Sequence, residues 1–140
     1  MTEDNPIIKL CQEGMKMERK NKPDDAHALY MKAWAESSNN YEQCIAAHFA
    51  ARQQKDLEET LRWNIEALNR ANAVNDDRVK SFYPSLFLSV GLSYEKLGNR
   101  TEAKKFFDLA FEKADNLPHD DYGKEIRQKI DKARERVNKL

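Results

Sequence analysis

The chain has 140 residues, enough for one domain with a sizeable core, and its 24 Lys and Arg balance 24 Asp and Glu, so no general charge draws it to nucleic acid or anionic lipid. A charged fraction of 34% with only four glycines and four prolines fits a mostly helical chain, and no apolar run approaches the roughly 20 residues that cross a bilayer. The N-terminal stretch MTEDNPIIKL is acidic and lacks the basic start and apolar centre of a signal peptide, and Cys11 and Cys44 fall inside helical patterns as buried, reduced thiols. A cytoplasmic protein with no membrane and no nucleic-acid partner is expected.

Asn5 or Asp4 caps a first helix, with Pro6 where its missing N–H is harmless. Ile8, Cys11 and Met15, joined by Ile7 and Leu10, give helical spacing to about Lys20. Asn21-Lys22-Pro23 turns the chain, and Pro23 opens a second helix to about Ser37 with Ala26, Leu29, Tyr30, Ala33 and Trp34 on its apolar face. After the break at Ser37–Asn40, Asn40 with Gln43 forms a capping box for a third helix, Tyr41 to about Gln54. Asp56 with Glu59 does the same for a fourth, which carries Leu57, Leu61, Trp63, Ile65, Leu68 and Ala71.

Between Asn75 and Tyr83 the pattern lengthens. Val79, Phe82, Tyr83, Leu86 and Val90 keep helical spacing across Pro84, which predicts a long helix from Asp76 or Asp77, bent where Pro84 removes a bond to Lys80. The alternative is a separate short turn, with Pro84 opening the helix. The stretch from Pro84 to Leu117 then reads as two helices broken at Gly98, the second capped by Asn99 with Glu102. A final helix runs from about Asp120 to Asn138, with Tyr122, Ile126, Ile130, Ala133, Val137 and Leu140 on one stripe.

Phe87, Val90-Gly91, Tyr94, Gly98, Ala103, Phe107 and Ala110 follow one another in an order and spacing that resembles a tetratricopeptide repeat, a helix-turn-helix unit of about 34 residues. Phe87 stands for the usual Trp and Val90 for the Leu, while the closing Pro column holds Asp115. Shifting the chain against itself places Ala33, Ala67 and Ala110 in one column, and Gly14, His48 and Gly91 in another. Ala26, Thr60 and Ala103 form a third; Tyr30, Asn64 and Phe107 form a fourth. The repeats then cover about 7–40, 41–74 and 84–117, with an extended hairpin at 75–83 and a capping helix at about 120–139. What the resemblance implies is a single all-α domain: a right-handed α-solenoid of three antiparallel helix pairs plus a C-terminal helix, seven helices in all. In such arrays a terminal helix with a polar outer side covers the exposed apolar end; a dimerising or partner-binding role is its alternative.

Four acidic pairs, Asp24-Asp25, Glu58-Glu59, Asp76-Asp77 and Asp120-Asp121, each fall in the first turn of an expected helix. Negative charge there is stabilised by the helix dipole by roughly 0.3–1 kcal/mol, which explains them without catalysis. Cys44 and His48 stand one helical turn apart, a spacing that suits two zinc ligands, with Cys11 on the matching helix of the preceding unit. His27 and His119 do not converge on them, and His48 occupies a close-packing column, so a hydrogen-bonded core histidine is the plainer reading. Nothing resembles an oxyanion hole or a phosphate loop, and Trp34 and Trp63 read as core. No catalytic residue, metal or cofactor is expected.

The resemblance also implies a concave surface lined by the first helix of each repeat. Its columns fall on Ile8, Cys11, Met15 and Glu18, then on Glu42, Ile45, Phe49, Arg52 and Gln53, then on Ser85, Leu88, Leu92, Glu95 and Lys96. Of these, Cys11, Met15, Ile45, Phe49, Arg52, Leu88, Leu92 and Lys96 are the candidate peptide-groove residues. The columns that carry a carboxylate clamp in chaperone-binding members hold Cys11, Met15, Ala46, Ser85 and Ser89, which argues against that ligand. A protein or peptide segment with hydrophobic anchors is the expected partner, the same residues being covered by the chain itself in the alternative. An assembly or oligomerisation subunit, a small secretion-type chaperone and a Cys44–His48 metal protein or enzyme are the other readings; the oligomeric state stays open.

Overall fold

A computed structural model describes residues 4–139; Met1 to Glu3 of the acidic N-terminal stretch, and Leu140 of the last apolar stripe, lie outside them. Among the described residues every regular element is helical and no strand occurs. Seven α-helices follow one another: α1 Pro6–Arg19, α2 Pro23–Glu36, α3 Asn40–Ala50, α4 Leu57–Val74, α5 Tyr83–Lys96, α6 Arg100–Glu112 and α7 Asp121–Asn138. Short 3-10 helices occupy Ala51–Gln53, Asp77–Phe82 and Ala114–Asn116. The chain divides into two compact units at Val74–Asn75.

In the first unit α1 pairs with α2 and α3 with α4. Asn5 Oδ1 accepts the N–H groups of Ile7 and Ile8, and Pro6 follows at the first helical position, so α1 starts with its exposed donors satisfied. Its end is a left-handed turn: Asn21 has φ +62°, and the Lys22 N–H returns to the Met17 carbonyl at 2.9 Å. Lys22, which follows, makes no side-chain cap for α2. Ala26, Tyr30 and Ala33 of α2 are fully buried against Ile7 and Cys11 of α1 and Ala46 and Ala50 of α3.

The cap of α3 is Asn39, one residue before the expected Asn40: its Oδ1 accepts the Glu42 N–H at 2.9 Å. Glu42 reaches back to the Ser38 N–H at 2.9 Å, closing a box that involves neither Asn40 nor Gln43 as cap. The α-helix also ends earlier than expected, at Ala50, and tightens into the 3-10 turn to Gln53. Asp56 Oδ1 accepts the Glu58 N–H at the start of α4.

In the second unit Asp76 caps the 3-10 helix Asp77–Phe82 through the Arg78 N–H, and α5 begins at Tyr83 with Pro84 in its first turn. The helical backbone begins at Asp77, as expected, and passes directly into α5, but its first six residues are 3-10. The α-helix bent at Pro84 is corrected, because α-helix starts only at Tyr83 and the proline stands in its first turn, where it has no hydrogen bond to donate. Gly98, at φ +83°, turns α5 into α6, with the Asn99 N–H on the Tyr94 carbonyl at 2.9 Å. Asn99 then caps α6 through the Glu102 N–H. Ala103, Phe107 and Ala110 of α6 join Leu88 of α5 and the stripe Ile126, Ile130, Ala133 and Val137 of α7 in one core. Burying Phe107 alone contributes about 1.5–3 kcal/mol. Tyr122, expected on that stripe, is 49% exposed, and only its hydroxyl is engaged, 2.6 Å from Ser85 Oγ.

Candidate interaction surface

In the first unit, α1 and α3 bring Met15, Ile45 and Phe49 to partly exposed positions, with Ile8 also partly exposed. Cys11, expected among them, is 1% exposed and belongs to the core, so it lines no open surface; its neighbour Ile7 is buried as well. The Phe49 ring lies 5.5 Å from Tyr30 and 5.8 Å from His48, which fixes its orientation.

One edge of this face is an ion pair. Arg52 donates through Nη2 to Glu18 Oε1 at 2.7 Å and through Nε to Oε2 at 3.0 Å, and the Tyr30 hydroxyl donates to the same Oε2 at 2.5 Å. The Arg52 hydrogen bond, reinforced by Tyr30, holds the Glu18 carboxyl down at about 2, and burial together with Glu18 raises the Tyr30 hydroxyl. Arg52 is thus spent on α1 instead of standing free for a ligand. Beside it, a cleft of about 480 Å³ separates the start of α2 from the α3–α4 connection, lined by His27 and Lys55 among others.

Glu42, a groove column in the sequence, is consumed in capping; its bonds from Ser38 and from Asn5 Nδ2 at 3.0 Å hold its carboxyl below the usual range. Cys44 is buried, and burial pushes the Cys11 and Cys44 thiols up to about 12. Burial, with Arg52 as a lesser influence, lowers His48 to about 4, and its Nδ1 is buried without a hydrogen-bond partner, unlike the bonded histidine expected. Burial that keeps both thiols protonated makes them weak nucleophiles. Among the described residues no group of three or more His, Cys, Asp and Glu is arranged to hold a metal ion.

The second unit uses the corresponding residues differently. Leu88 is buried in the core it shares with α7, so it too lines no open surface, and Leu92 packs against that core. Glu95 is held by Arg136 of α7 at 2.9 and 3.0 Å, and Ser85 is tied to Tyr122. Lys96, in the last turn of α5, is exposed. The C-terminal helix has taken much of the α5 face for itself.

Sequence reasoning placed Trp34 and Trp63 in the core, yet both are only partly buried and meet at a surface cleft, 5.0 Å between ring centroids. Arg70, which the sequence did not single out, lies over Trp34 at 5.6 Å. Two tryptophans on successive second helices were the available signal. No family model, no curated protein and no solved structure matches this chain. No helix among the described residues is long and apolar enough to cross a membrane.

Proposed function

We propose that the protein is a non-enzymatic protein-interaction module built as a tetratricopeptide-like right-handed solenoid, whose first-unit face, formed by α1 and α3, holds an extended peptide or helix of a partner by its apolar anchors. The observation that carries this reading is a repeated interlock. Gly14 faces Tyr30 and Gly91 faces Phe107, in one register of the repeat, so closely that a Cβ would fall 2.2 Å and 2.6 Å from the respective rings. The same register relates the two left-handed turns, Asn21 and Gly98, and the alanines Ala33, Ala67 and Ala110, all 0% exposed. In the second repeat the sizes are exchanged, His48 standing for the glycine and Asn64 for the aromatic ring.

Met15, Ile45 and Phe49 give the face partly exposed apolar area, and Met15 gives it adaptability. The assignment of Leu88 is withdrawn, because it is buried in the core shared with α7, while Leu92 is partly exposed beside that core, as Ile45 and Phe49 are beside theirs. The test is a photo-crosslinking amino acid at position 45, in the full chain, used in extract of the native cell. Adducts to a defined partner should form there and vanish in the Met15→Glu variant, with helicity by circular dichroism unchanged. Adducts that persist unaltered in a folded Met15→Glu chain would sink the reading.

A further inference from the structure

We propose that the cleft between α2 and α4 of the first unit is a second docking site, for an extended proline-containing segment of a partner protein. Trp34 of α2 and Trp63 of α4 stand edge to face at 85°, two walls of a corner enclosing about 210 Å³. Arg62 and Glu66 complete the lining. The Trp34 wall is braced: Arg70 lies over its ring and is itself pinned by Glu66 at 2.6 Å, Gln43 at 3.1 Å and Asn40 at 3.2 Å. Ala33 and Ala67, both fully buried, anchor the two helices close by.

Charge complementarity selects the occupant. Arg62 is paired with Glu59 at 2.7 Å and Arg70 with Glu66 at 2.6 Å, so the rim is balanced. A quaternary ammonium would meet two guanidinium groups, and an anion would meet two carboxylates; an uncharged segment meets no opposing field. A cleft of about 210 Å³ takes one compact apolar group at a time, and a pyrrolidine ring is such a wedge. Polyproline chains make no internal hydrogen bonds, which leaves their carbonyls available, and they dock in aromatic-lined grooves at little entropic cost. The described residues contain no hydrogen bond from either indole N–H, so both donors stand ready for such carbonyls.

The test uses the isotopically labelled full chain and an end-capped decaproline peptide. The chain has two tryptophans, hence two indole N–H resonances. Both should shift saturably on titration, and Trp63→Leu should weaken the binding about tenfold. Three outcomes overturn the proposal: indole resonances that do not move at millimolar peptide, a response to tetramethylammonium in place of decaproline, or shifts that follow protein concentration without peptide. The wild-type titration decides the matter even if Trp63→Leu fails to fold.

Discussion

Tyr30 fills the space that any side chain on Gly14 would need: a Cβ there would lie 2.2 Å from Cε1 and 2.7 Å from Cδ1 of the ring. The ring has nowhere to retreat, being 0% exposed with its hydroxyl bonded to Glu18. Alanine is favoured over glycine in a helix by about 1 kcal/mol, but overpacking a core typically costs about 1–3 kcal/mol. Gly14→Ala, and Gly91→Ala against Phe107, should each lower stability, by a net of up to about 2 kcal/mol in urea unfolding. Gly98→Ala is the contrast. Nothing lies within 4 Å of a Cβ there, so its loss arises from the positive φ alone.

The turns before α2 and α6 share their backbone geometry but not their caps. Asn99 sits at φ −92°, ψ 83° and caps α6, whereas Lys22 sits at φ −119°, ψ 71° and offers no acceptor to α2. Lys22→Asn should supply the missing bond and stabilise the chain by about 1 kcal/mol, read as a higher unfolding midpoint. An unchanged midpoint would show that the two turns are not interchangeable.

These local devices were the legible part of the sequence. Caps at Asn5, Asp56 and Asn99 depend on a few neighbouring residues, and the alanine columns mark where helices touch most closely. Asn39 and Asn40 both satisfy the capping chemistry, so sequence alone left the choice within one residue. Cys11 and Cys44 were legible as buried thiols from their helical patterns, although the repeat columns also put Cys11 in the open groove, which its burial contradicts. Leu88 could not be placed as buried, because spacing assigns a face without saying what covers it. For Leu88 the cover is α7, whose register against α5 is a tertiary fact. The spacing favoured a long helix bent at Pro84 over a helix start, and the 3-10 helix Asp77–Phe82, which gives way to α-helix at Tyr83, is a matter of local winding that spacing does not report.

Two groups in the first unit should make stability depend on pH in two successive windows, which overlap only near pH 4 to 4.5. His48 is lowered from 6.5 to about 4, mainly by burial, so the folded chain resists its protonation. Its contribution is present above pH 6.5 and is lost as pH falls towards 4. Glu18 is lowered from 4.5 to about 2, mainly by Arg52, and its contribution is present above 4.5 and lost as pH falls towards 2. Urea midpoints for His48→Gln should flatten the upper window only, and those for Glu18→Gln the lower only. A variant that altered the other window would break the assignment.

Of the second unit's three glycines, Gly123 at the start of α7 has the least room for a side chain. Gly123 donates its N–H to Asp120 Oδ1 at 2.9 Å, and a Cβ on it would fall 1.8 Å from the Pro118 carbonyl oxygen. That atom is backbone, and the next residue but one is the helix cap, so relief requires moving the whole entry to α7. The helix supplies Ile126, Ile130, Ala133 and Val137 to the core that holds Leu88 and Phe107. Gly123→Ala should therefore cost about 3 kcal/mol or more, at the upper end for single substitutions. Amide exchange locates the damage: protection should fall first in α7 and then in α5 and α6, while α1 to α3 keep theirs. Uniform loss across the chain would mean that the two units unfold as one, and full protection in α7 would mean that the entry tolerates a methyl group.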